Sequence, residues 1–207
     1  MGINIKNIIF DLGGVLVHLD AQRCYKAMER IGVDNAEARL HSKEGMSLLV
    51  RLETGAIGEE EFYQSVRQYT GCRASDDELR WAWNQFLVKV EEEKKRRLLQ
   101  LRLHYHVFLL SNTNVMHWNY CAQELFPLGS YGVDDYFDRV FLSYELHLSK
   151  PQPAIFEKTL QLAGIRADET LFIDDVKANC DAARGLGIHT WQNLHDNDWL
   201  NENDLFK

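Results

Sequence analysis

Five short apolar runs, NIIFDL, HVFLLSN, RVFLSY, ETLFIDD and GIHTWQN, constrain the chain more than any other feature. The first four are near-continuously hydrophobic at their centres, and GIHTWQN carries Ile188 and Trp191. Such runs suit strands covered on both faces, as parallel sheets are. Stretches of helical period separate the later runs: EEEKKRRLLQLRL, MHWNYCAQEL, PAIFEKTLQLAG and VKANCDAARGLG. The last two close on glycine, as helix C-termini often do. Strand, helix, strand from residue 91 to residue 192 predicts an α/β domain with a Rossmann-like, doubly wound parallel sheet.

Residues 20–90 break this rhythm. AQRCYKAMERIG, ARLHSKEGMSLLVRLETG, EEEFYQSVRQYTG and SDDELRWAWNQFLVKV all read at helical period, with Gly32, Gly55 and Gly71 as punctuation. The pattern predicts a small helical bundle inserted after the first strand. Residues 1–19 and 91–207 then form the core domain and residues 20–90 a helical cap. A chain of 207 residues accommodates one core and one such appendage.

The formal net charge of −8 opposes a non-specific grip on nucleic acid, which needs an excess of Lys and Arg. Nothing in the chain approaches a membrane-spanning run of about 20 apolar residues, and the N-terminus lacks a signal-like pattern. Met1-Gly2 faintly suggests myristoylation, but Lys6 stands where Ser or Thr is needed, and that reading is set aside. Cys24, Cys72, Cys121 and Cys180 form no CxxC pair, which favours reduced thiols and a cytoplasmic location. Oligomeric state is not legible.

Ligands of an open parallel sheet bind outside the carboxyl ends of its strands. There the sequence places Asp11, the pair Ser111-Asn112, Lys150 in the connection after RVFLS, and Asp174-Asp175. Three carboxylates gathered in one small space repel strongly, so one stays protonated or a cation joins them. A hard divalent ion, Mg²⁺, suits these oxygen ligands, and a carbonyl in the turn at Gly13 offers another. Lys150 supplies a point charge to an anion touching the metal, Ser111 a hydroxyl and Asn112 an amide donor.

FDLGGVLV, LLSNTN, SKPQPAIF and FIDDVKANCDAARGLG, in that order, resemble the four motifs of the haloacid dehalogenase (HAD) superfamily. Steps of 100, 39 and 24 positions separate Asp11, Ser111, Lys150 and Asp174. The insertion after the first motif resembles the subclass I cap. Within the superfamily, the chain is similar to bacterial sugar-1-phosphate phosphatases and to the N-terminal phosphatase domain of soluble epoxide hydrolase. The resemblance implies a Mg²⁺-dependent phosphomonoester hydrolase acting on a small phosphorylated metabolite. Asp11 would be the nucleophile, forming an aspartyl-phosphate. Asp11, Asp175 and the Gly13 carbonyl would hold Mg²⁺, with Asp174 beside them directly or through water. Ser111 and Asn112 would bind phosphoryl oxygens. Lys150 would neutralise both the nucleophile and the developing charge, and Asn179 would orient the acidic pair.

One position departs from that pattern. Phosphatases of the family usually carry a second aspartate two residues after the nucleophile as general acid and base, where this chain has Gly13. Such assistance is worth roughly 10² to 10⁴ in rate. Three readings follow: a leaving group good enough to depart unprotonated, a substitute acid at His18 or Asp20, or a weak enzyme that chiefly binds its phospholigand. Metal-independent haloacid dehalogenation is a further alternative, opposed by the acidic pair. The Gly13-Gly14 turn itself reads as room for a ligand to approach the backbone. In the cap, Phe62, Tyr63, Trp81 and Trp83 are expected to pack in the core, and EEEKKRR to form a solvated helix face.

Overall fold

The computed structural model describes residues 4–195 and 197–201; the Met1-Gly2 start lies outside them. Strand β1 (Asn7–Phe10) leads through the turn at Asp11 to the short β2 (His18–Leu19). Five helices follow: α1 (Ala21–Arg30), α2 (Ala36–Leu40), α3 (Lys43–Glu53), α4 (Glu59–Thr70) and α5 (Asp76–Asn84). Then come β3 (Leu87–Lys89), α6 (Glu92–Leu101), β4 (His106–Ser111), α7 (Val115–Tyr120) with a π-helical turn at Cys121–Leu125, α8 (Val133–Tyr136) and β5 (Arg139–Leu142). The chain continues through α9 (Ser143–Leu146), α10 (Pro153–Ala163), β6 (Thr170–Asp174), α11 (Lys177–Gly185), β7 (His189–Gln192) and α12 (Asp198–Asn201).

All five expected strands form one sheet, ordered β5-β4-β1-β6-β7, and every pairing is parallel. Burial explains their continuous hydrophobicity. Ile8, Phe10, Leu109 and Ile173 belong to one apolar cluster, while Ile9, Phe108, Leu110 and Phe172 belong to another. Successive side chains of a strand point to opposite faces, so both faces of this sheet are packed. The sheet grows from β1 toward β5 and then, after α10, resumes on the other side of β1 with β6. That reversal is the topological switch point, where a crevice opens at the strand ends.

Helices α1 to α5 enclose a third cluster, including Tyr25, Met28, Leu52, Phe62, Tyr63, Leu79 and Trp83, to which Met116 of α7 also belongs. Local signals start these helices. Asp20 caps α1 by accepting from the Arg23 amide, Ser42 caps α3, and Ser75 with Glu78 forms a capping box on α5.

The structure corrects several expectations. ARLHSKEGMSLLVRLETG is two helices, divided where Ser42 caps the second. SDDELRWAWNQFLVKV is helical only to Asn84; its end becomes β3, which pairs antiparallel with β2 as the chain re-enters the core. Trp81 is 43% exposed beneath the Arg30 guanidinium, while Trp83 is buried. Residues two apart on a helix face different sides, so only one of the pair could enter the core. EEEKKRR is not a wholly solvated face. Lys94 is 1% exposed, and Lys95 is buried with its ammonium donating to the Pro127 carbonyl. Their aliphatic stems cover apolar surface, which charge counting along the sequence ignores. Among the described residues, no helix is long and apolar enough to cross a membrane.

Candidate active site

The parallel registers fix the site. Phe10 aligns with Leu109 of β4 and Ile173 of β6, and the Asp11 amide continues the ladder to the Ile173 carbonyl at 2.9 Å. Asp11 therefore emerges beside Asp174 at the switch point. Carboxylate oxygens of Asp11, Asp174 and Asp175 lie within 4.8 Å of one another.

Lys150 binds this group together. Its ammonium, buried with the rest of the residue, lies 2.7 Å from Asp11 Oδ1, 2.7 Å from Asp174 Oδ2 and 3.0 Å from the Leu110 carbonyl. It thus ties the ends of β1, β4 and β6. Burial pulls the Lys150 ammonium down, but the Asp11 and Asp174 charges outweigh it and hold the group above its ordinary value. Asp11 is pushed up to about 7, chiefly by burial, with Asp174 adding to the rise and Lys150 opposing it. Loss of water around Asp11 is the larger effect, and one cation shared with Asp174 does not offset it. This is the electrostatic setting that a hard divalent cation relieves, and the all-oxygen donor set fits Mg²⁺.

Asp174 is fully buried, and both of its oxygens are engaged. Oδ1 accepts from the Val176 amide at 2.8 Å and Asn179 Nδ2 at 2.9 Å, and Oδ2 accepts from Lys150. It anchors the lysine. Asn179 reaches Asp174 of the acidic pair, at 2.9 Å from Oδ1 and 3.1 Å from Oδ2. The Asp11 Oδ1 atom accepts from the Leu12 amide and Lys150, while among the described residues no donor reaches Oδ2. Ser111 ends β4, and its hydroxyl likewise has no protein partner among the described residues.

Asn112 behaves differently from expectation. Its side chain donates to the Lys150 carbonyl at 2.9 Å and accepts from the Lys150 amide at 2.8 Å. The amide group offered by the sequence for an anion thus clasps the backbone that carries the lysine. Asp20 is occupied as a helix cap, and His18 lies in the β2–β3 ribbon.

The glycine turn also has a different basis. A Cβ on Gly14, whose φ is +71°, would stand 2.5 Å from Asp175 Oδ2; at Gly13 it would meet Leu19 Cδ1 at 2.8 Å. The space beside Gly14 is taken by the protein's own carboxylate. Gly14 has no substitute there, since both its φ and the close approach demand the missing side chain.

Two supports escaped the sequence reading. The Ser143 hydroxyl accepts from the Thr113 amide and donates to its carbonyl, fixing the loop after Asn112. Asn193 donates to the Gly14 carbonyl at 3.0 Å, and Trp199 Nε1 to the Val15 carbonyl at 3.2 Å, bracing the turn after Asp11. Asn193 follows β7 directly, so the strand-end rule that found the acids also reaches it.

The model of the haloacid dehalogenase-like hydrolases matches residues 5–187. The chain belongs to that family. This hydrolase is 36% identical over 200 residues to the D-ribitol-5-phosphate phosphatase of Bacteroides thetaiotaomicron, covering 96% of each chain. A HAD family enzyme from the same bacterium, solved with magnesium and inorganic phosphate, superimposes with a TM-score of 0.91 at 40% identity, covering 99% of this chain and 100% of that one. The L-2-haloacid dehalogenase of Xanthobacter autotrophicus has a TM-score of 0.62 at 18% identity, over 91% of this chain and 77% of its own; that likeness is one of fold alone.

Proposed function

We propose that this hydrolase cleaves the phosphomonoester of a small polyol or sugar phosphate through an aspartyl-phosphate on Asp11. The observation that carries the reading is the Asp11–Lys150–Asp174 cluster at the switch point, with Asp175 beside it. The likeness to a D-ribitol-5-phosphate phosphatase over 96% of both chains supports this substrate class.

Asp11 attacks phosphorus, the phosphorus–oxygen bond to the alcohol breaks, and the alcohol oxygen gains a proton. Water then attacks the aspartyl-phosphate, releasing inorganic phosphate and restoring Asp11. Lys150 opposes the burial that raises Asp11, favouring its carboxylate form, and faces the anion. The Ser111 hydroxyl, free of partners among the described residues, donates to a phosphoryl oxygen. Asn112 serves as a positioning residue for Lys150. Asp11, Asp175 and the Gly13 carbonyl would hold Mg²⁺, with Asp174 contributing from behind; the bound ion supplies positive charge for the phosphoryl oxygens. The alcohol's proton comes from solvent or from the cap, because Gly13 has none to give. Four free, buried cysteines support a reducing, cytoplasmic setting.

The test is phosphate release from D-ribitol 5-phosphate in Mg²⁺, with EDTA and with Asp11→Asn. Release that EDTA abolishes and that Asp11→Asn lowers at least about a thousandfold is expected, a nucleophile's loss being among the costliest. Undiminished release by Asp11→Asn refutes the covalent route.

A further inference from the structure

Resting on the phosphatase reading above, we propose that Glu53 selects the substrate: its carboxylate accepts hydrogen bonds from hydroxyls of the leaving alcohol. The enzyme then favours polyhydroxylated phosphomonoesters over those with an apolar chain.

A cavity of about 160 Å³ lies between the cap helices and the core. Asn112 and Thr113, directly after Ser111, form part of its wall, so it adjoins the phosphate end of the site. Tyr25 and Trp83 supply aromatic surface, and His117 lines it from α7. Glu53, the last residue of α3, is the only carboxylate lining it among the described residues. Among the described residues no donor or cation meets the Glu53 side chain, and burial pushes its carboxyl above the usual range. His117 does not serve as a counter-ion, because burial holds its imidazole down to about 4 and therefore neutral.

A half-buried carboxylate that no donor meets among the described residues is costly to a fold and calls for one. A polyol chain supplies several. Stacked against aromatic faces along its C–H edges, it would present O–H groups to Glu53 and bring no second negative charge toward it.

Glu53 is also held in place. Gly55, two residues on, has φ of +67°, and a Cβ there would stand 2.1 Å from the Tyr144 carbonyl oxygen. His147 Nδ1 lies 2.9 Å from the Thr54 carbonyl oxygen. The end of α3 is therefore seated on α9, which fixes the height of Glu53 over the strand ends. Such seating is what a selecting group needs, because a hydrogen bond discriminates only when neither partner can drift.

The experiment compares kcat/KM for D-ribitol 5-phosphate and n-pentyl phosphate, an ester with the same five-carbon chain and no hydroxyls, in wild type, Glu53→Gln and Glu53→Ala. Circular dichroism and thermal unfolding verify that each variant folds. Glu53→Ala is expected to lower the polyol value about 10- to 100-fold, the range of hydrogen bonds to a charged group, and to leave pentyl phosphate within about threefold. Glu53→Gln, which keeps one acceptor, falls between. Equal losses on both esters would assign Glu53 to proton transfer or to folding and overturn the proposal; so would an unchanged polyol value, or a Glu53-dependent preference for phosphoethanolamine over the polyol. Wild type that releases phosphate from no ester in Mg²⁺ would instead sink the phosphatase reading, and with it this one.

Discussion

Acid should loosen the cap from the core through His117. Its ring lies between Trp83, at 5.0 Å and 12° between planes, and Phe86, at 5.8 Å and 21°, with Nε2 3.1 Å from the Trp83 carbonyl oxygen. Burial lowers its value from 6.5 to about 4, with the Trp83 carbonyl opposing the shift. The unfolded chain therefore takes up a proton at a pH where the folded chain refuses it, so stability falls as pH drops through 6.5 and the loss levels off near 4. Between about pH 7 and about pH 5 this one group removes about 2 kcal/mol, or about 4 to 8 °C in Tm for a chain of this length. Urea unfolding followed by circular dichroism at both pH values, for wild type and His117→Gln, measures it. Glutamine reaches the Trp83 carbonyl but does not titrate. The variant should start less stable at the higher pH, having lost the stacked ring, and the gap to wild type should narrow by about 2 kcal/mol at the lower one. Parallel losses in the two proteins would refute the reasoning.

Lys150→Ala should lower stability by about 3 to 5 kcal/mol in chemical denaturation, because it leaves Asp11 and Asp174 buried without their cation. Adding Asp174→Asn should restore part of that loss, and no restoration would show that the cost lies elsewhere. Gly14→Ala should drive Asp175 from its place and raise the Mg²⁺ concentration for half-maximal activity by about tenfold or more, read from metal titration of the rate. An unchanged titration would show that Asp175 holds no metal.

The sheet was legible because its central strands β1 and β6 are buried throughout, and a run such as NIIF then has no polar phase to hide it. Strand ends carried the site: Asp11, Ser111 and Asp174 sit where any parallel sheet presents its ligands, and the motif order brought Lys150 to them. Pairings of two or three residues leave no periodicity, so the β2–β3 ribbon was invisible and β3 was read as helix. Asn112 was found as a polar residue at the right place, but a side chain's direction is a tertiary property, and its amide turns to the Lys150 backbone. Glu53 looks in sequence like any acid on an amphipathic helix. Its place in the wall of a cavity shared with Asn112 and Thr113 is a tertiary property.

The brace on the Asp11 turn closes at long range, 179 positions from Gly14 to Asn193 and 184 from Val15 to Trp199. Until the segment after β7 docks, the backbone carbonyls of Gly14 and Val15 lack these two donors. Order at the Asp11 turn is thereby tied to the docking of β7 and α12, and a change that loosens this edge of the sheet reaches the acidic cluster without touching it.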